Sequence, residues 1–140
     1  MNIFAWLCGW RKKKTDSGLW GEAQAEQFLR KSGYKFIGRR VRFGSRSELD
    51  LVMRDGQVLV FVEVKTRATE QFGRPSDFVD RRKRHFLSRA AMRYIRRIKP
   101  PEATFRFDVV EVVGSPQSGV RDIRHVQAAF PLDRMYYPRV

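Results

Sequence analysis

The residues with the most chemistry in them fall in one stretch, Ser47 to Arg67. There Glu48 and Asp50 stand two apart, and Glu63, Lys65 and Arg67 follow at the same spacing. Successive side chains of a strand point to opposite faces, so residues two apart share a face. On that pattern Glu48 and Asp50 lie together, and Leu59, Phe61, Glu63 and Lys65 form one row, with Val58, Val60, Val62 and Val64 on the other side. A strand that is apolar on both faces belongs in the middle of a covered sheet. Charges at its end are costly when buried and unpaired. A hard divalent ion such as Mg²⁺, which takes oxygen ligands, resolves that cost when held by Asp50 and Glu63 with Lys65 close by. The competing reading is structural: Glu63 pairs with Lys65 or Arg67 at a solvated strand end.

The elements that must position these groups follow from the flanking sequence. Asp55-Gly56 marks a tight turn between strands near 48–54 and 58–66. Upstream, Asp16 or Ser17 is expected to cap a helix running to about Ser32. On it Gly18, Glu22, Ala25 and Leu29 fall on one inward stripe. A carboxylate there is either functional or paired with an arginine such as Arg39 or Arg40. Gly33 suits the helix C-terminus, and Tyr34 to Phe43 reads as the first strand. Downstream of a loop from Thr66 to Pro75, Ser76 is expected to cap a long helix over 76–98. Its apolar face is Phe86, Leu87, Ala90, Ala91, Tyr94, Ile95 and Ile98. Pro100-Pro101 stops it. Two further strands follow, from Thr104 to Val113 and from Val120 to Phe130, with His125 at an edge or in the core. Residues 131–140 read as a loosely packed tail.

Composition narrows the partners. The chain has 140 residues, 42% of them hydrophobic, and a formal net charge of +14. That is one folded domain whose charge points to a polyanion. From Arg81 to Pro101 no acidic residue interrupts the basic ones. A run of one sign this long reads as a contact surface for a phosphate backbone, through Arg81, Arg82, Lys83, Arg89 and Arg93, joined by Arg67 and Arg74. The alternative is a merely solvated face. The single cysteine, Cys8, excludes an internal disulfide, and with two histidines a zinc site is not expected. This suits a reducing cytoplasm. Residues 1–14 form an apolar, then basic leader, too short to cross a bilayer. It is read as a loosely ordered terminus, or alternatively as a weak membrane-surface anchor. Residues 15–130 are then the single folded domain.

The order helix, strand, hairpin, helix, strand, strand describes an α/β fold with a mixed sheet flanked by helices. Gly21-Glu22, Glu48-Leu49-Asp50-Leu51, Phe61-Val62-Glu63-Val64-Lys65-Thr66-Arg67 and Arg106-Phe107-Asp108-Val109 together resemble the YraN-type family of predicted endonucleases. That family is placed in the PD-(D/E)xK, restriction-endonuclease-like superfamily, distantly similar to archaeal Holliday-junction resolvases. The resemblance covers about residues 15–130, and Ser47 and Arg40 depart from the usual pattern without removing an acid or the lysine. It implies a restriction-endonuclease-like core and metal-dependent hydrolysis of DNA, branched or distorted, with Mg²⁺ or Mn²⁺. Asp50, Glu63 and the Val64 carbonyl would hold the metal, Glu22 would bind it directly or through water, and Lys65 would serve the attacking water. Symmetric cutting of two strands would call for a homodimer. The alternative is a non-catalytic nucleic-acid-binding module that keeps the fold.

Overall fold

The computed structural model describes residues 14–44, 48–69, 79–102 and 104–137. Helix α1 spans Asp16–Lys31, and strands β1, β2 and β3 span Lys35–Arg42, Glu48–Asp55 and Val58–Arg67. Helix α2 spans Arg81–Ile98, followed by β4, Thr104–Ser115, β5, Gly119–Phe130, and a short 3-10 turn, Arg134–Tyr136. The strands form one sheet in the order β1-β2-β3-β4-β5. Only β3 and β4 run parallel, joined across the sheet by α2, while the other pairs are antiparallel. The result is an α/β fold with a five-stranded mixed sheet between helices, consistent with a restriction-endonuclease-like core.

β3 is the central strand, and its two apolar rows explain why. Leu59 and Phe61 pack with Leu87, Ala90, Ala91 and Tyr94 of α2. Val60 and Val62 pack with Ala25 and Leu29 of α1. Both layers are fully buried at their centres, so each helix covers one apolar face and the sheet satisfies the strand backbones in between.

Several expected boundaries move. Asp55 pairs with Val58, so the two-residue turn is Gly56-Gln57 rather than Asp55-Gly56; Gly56 takes φ +58°, a conformation that costs glycine little. Thr15, not Asp16 or Ser17, caps α1, its hydroxyl accepting from the Gly18 amide at 3.1 Å. Asp80 caps α2, accepting from the Lys83 amide at 2.8 Å, so the helix starts at Arg81. Ser76, Arg74 and residues 1–13 lie outside the described residues. The start of the tail is anchored rather than loose: the Asp133 amide donates to Ser88 Oγ at 3.0 Å, and Leu132 packs on the α2 side of the core.

Candidate metal and nucleic-acid site

Three separate segments deliver acids to one end of β2 and β3. Glu22 comes from the first half of α1, Glu48 and Asp50 from the start of β2, and Glu63 from the end of β3. All four are buried or nearly so, with Glu22, Asp50 and Glu63 each at most 5% exposed. The approach of α1 is permitted by Gly21. A Cβ there would lie 1.8 Å from Thr66 Oγ1 of β3, so any larger residue would push the helix, and Glu22 with it, off the sheet.

One oxygen each from Glu22, Glu48 and Asp50 lies within 4.8 Å of the others. The expected trio was Glu22, Asp50 and Glu63; Glu48 takes the third place, and Glu63 stands beside Asp50. The Lys14 ammonium reaches into this group, 2.5 Å from Asp50 Oδ1 and 3.0 Å from Glu48 Oε1, and it also pairs with Glu22. Lys14 had been read as part of the leader. The second oxygen of Asp50 accepts the Val64 amide at 2.9 Å. Val64 thus enters the site through its N–H, which fixes the aspartate.

Glu63 is held differently. Its Oε1 lies 3.5 Å from the Lys83 ammonium and 3.9 Å from that of Lys65, and its Oε2 is buried with no hydrogen-bond donor among the described residues. Burial first, and the neighbouring Asp50 carboxylate second, push its pKa up to about 8 against the pull of both lysines. Burial works against the Lys83 ammonium, but Glu63 and Asp50 outweigh it and the net shift is upward.

The structural alternatives posed by the sequence are therefore partly present. Glu22 does pair with Arg40, at 3.2 Å through Oε2, and Glu63 does face Lys65. Lys83 turns from the expected phosphate surface toward Glu63. Arg93 donates to the Phe43 carbonyl at 2.8 Å and so ties α2 to the end of β1. Arg81 and Arg82 remain exposed on the first turn of α2, Arg82 lying over the Phe86 ring, and Arg89 is half-buried. Arg67 ends β3, half-buried and in register with Val113 of β4.

The remaining sequence motif has another role. Asp108 of β4 is fully buried and accepts from Arg106 at 2.9 Å, His125 at 2.8 Å and the Ala128 amide at 3.0 Å. It is a satisfied charge near the hairpin end of the sheet, where Arg106 also reaches Tyr34 and Asp55.

A mixed sheet between two helices, with acids from α1, β2 and β3 gathered beside lysines at one end, is the class of architecture found here. Its sequence relationships agree. The profile of Uncharacterised protein family UPF0102 matches residues 21–112, and the chain belongs to that family, the YraN-type family that the sequence motifs resemble. It is 46% identical over 110 residues to a UPF0102 protein of Symbiobacterium thermophilum, covering 79% of this chain and 92% of that one. It is 38% identical over 117 residues to a UPF0102 protein of Caldicellulosiruptor saccharolyticus, covering 84% and 98%. A UPF0102 protein of Syntrophomonas wolfei is 42% identical over 115 residues, covering 81% and 96%. No helix among the described residues is long and apolar enough to cross a membrane.

Proposed function

We propose that this domain is a metal-dependent endonuclease that hydrolyses phosphodiester bonds of DNA, with branched or distorted duplexes as its substrates. The observation that supports it is the gathering of Glu22, Glu48 and Asp50, with Glu63 beside Asp50, from segments far apart in the chain, near Lys65 and next to basic α2. The donors suit a hard divalent ion. Glu63 Oε2 is a buried carboxylate oxygen with no hydrogen-bond donor among the described residues, and Glu22 Oε1 and Glu48 Oε1 meet the Lys14 ammonium; oxygen-ligated Mg²⁺ or Mn²⁺ would serve all three. Asp50, Glu63 and Glu22 would hold it, with the Val64 carbonyl as a further oxygen. When bound, such an ion supplies an acidified water and offsets the charge that builds on the phosphate oxygens.

The chain's own residues do the rest. Lys65 orients the attacking water and stabilises the charge of the phosphorane-like transition state. Arg67, Arg81 and Arg82 hold the phosphate backbone, which positions a duplex without reading its sequence. Cutting two strands symmetrically requires two copies of the site, and hence a homodimer. The test is cleavage of linear, flapped, gapped and four-way DNA with Mg²⁺ or Mn²⁺. Asp50→Ala and Lys65→Ala each lower the rate by about 100-fold or more, while DNA affinity stays near that of the wild type. Cleavage that persists in both variants places the chemistry elsewhere.

A second reading has its own support: Lys14 and Lys83 already bring positive charge to these acids. On it, the domain is a non-catalytic nucleic-acid-binding module. It predicts salt-sensitive DNA binding and no metal-dependent cutting of any of those substrates.

A further inference from the structure

Around Lys14 the carboxylates share a pattern. Each has one oxygen anchored by a protein donor and the other turned toward a common point. Glu22 Oε2 pairs with Arg40 at 3.2 Å, Glu48 Oε2 with Arg42, and Asp50 Oδ2 with the Val64 amide at 2.9 Å. The inward oxygens are Glu22 Oε1, Glu48 Oε1 and Asp50 Oδ1, and all of them meet the Lys14 ammonium. Anchoring the outer atom of each ligand is how proteins orient carboxylates toward a cation.

The ammonium fits that point imperfectly. It lies 2.5 Å from Asp50 Oδ1 and 3.0 Å from Glu48 Oε1 and also pairs with Glu22 Oε1, so a single ammonium serves three carboxylate oxygens. Glu22 Oε1 and Glu48 Oε1 are buried, and among the described residues the Lys14 ammonium is the cation that faces them. Arg40 and Arg42 offset charge at the outer oxygens, and the three inner ones share the one ammonium. A divalent ion has no directional donors and twice the charge, so the arrangement suits it better. Lys14, for its part, can leave. It precedes the Thr15 cap and so lies outside α1, its side chain is 26% exposed, and its flexible stem hydrates readily at the tip.

We propose that Glu48 is a cation ligand alongside Glu22 and Asp50, and that Lys14 is the resident competitor for that position, swinging out when a divalent ion enters. The proposal rests on the reading that this site takes a metal, and it adds both a ligand and an internal gate. Lys14 lowers apparent metal affinity because its ion pairs must break first, which is a conformational cost paid out of the binding energy.

The test is Mn²⁺ binding to the full chain by titration calorimetry, without DNA. Lys14→Met tightens binding by about tenfold, and Glu48→Gln weakens it by a similar factor. A measurement on the wild type guards against misfolded variants: Mg²⁺ moves the Lys14 ε-methylene NMR signals to the positions of a solvated lysine. If Mn²⁺ binds but neither substitution changes its affinity, or if the Lys14 signals stay fixed at saturating Mg²⁺, the gate is overturned while the metal-dependent reading survives. If wild type, Lys14→Met and Asp50→Asn all fail to bind Mn²⁺, both readings fall together.

Discussion

Asp108 and Glu63 are both buried acids on neighbouring central strands, each with basic side chains nearby, and yet their pKa values move in opposite directions. Burial alone would raise the pKa of Asp108. Hydrogen bonds from His125, Arg106 and the Ala128 amide more than reverse it, and the net shift is downward. Ala128 takes φ +47° where the β4–β5 register shifts, and its amide reaches the carboxylate there. The irregular backbone is thus used to complete a charge. Glu63 has no such shell. Its nearest ammoniums stand 3.5 and 3.9 Å away, one of its oxygens has no donor, and its pKa rises to about 8. The difference separates a charge that the fold has closed from charges it has left open. A buried acid saturated with donors, like Asp108, has no lone pair left for a ligand; Glu63 keeps one, at a cost to stability.

Removing the acid from each region gives the largest contrast. Asp108→Ala removes the buried acceptor shared by Arg106, His125 and the Ala128 amide and costs about 3–5 kcal/mol of unfolding free energy. Glu63→Gln at pH 8 or above leaves stability unchanged or raises it. Urea denaturation of both variants checks this, and a Glu63→Gln loss as large as that of Asp108→Ala would erase the distinction.

The pH dependence separates the two acids by sign. Glu63 keeps its proton in the folded protein up to about 8, whereas the unfolded chain releases it near 4.5. The folded state therefore binds the extra proton, and this contribution to stability is full below 4.5 and is lost as pH rises to about 8. Asp108 has the opposite sign: its contribution is present above 3.8 and is lost as pH falls below that. Denaturation midpoints measured across pH resolve the two limbs, and Glu63→Gln flattens only the upper one.

Gly21→Ala acts on one region and spares the other. The new Cβ collides with Thr66, and relieving the overlap costs about 1–3 kcal/mol. It also moves Glu22 away from Asp50, so Mn²⁺ affinity falls while the Asp108 network is untouched. Adding Thr66→Ala restores part of both losses; simple additivity of the two substitutions in a double-mutant cycle would mean the contact does not set the spacing.

Much of this organisation was legible in the residues. The two apolar rows of β3, the apolar face of α2 and the hairpin follow from periods of 2 and 3.6 and from the glycine at position 56, because these are local properties of the backbone. Glu22, Asp50, Glu63 and Lys65 stood out as charges on otherwise apolar faces. The helix starts were harder to read, since Thr15, Asp16 and Ser17 are all capable caps and only the path of the chain selects one. Lys14 looked like the end of a basic leader, and Lys83 like one cation of a phosphate-binding run. Nothing in their neighbours along the chain distinguishes them from other lysines.

The sequence by itself determined which stretches form strands and helices, and which acids lie on stripes and strands that could carry them inward. Only the tertiary structure decided which oxygens are anchored, which face inward and which ammoniums answer them. Lys14 meets Asp50 across 36 positions of sequence, and such a contact has no local signature. It exists because Gly21 lets α1 lie close on β3 and the sheet order brings the start of β2 beneath it.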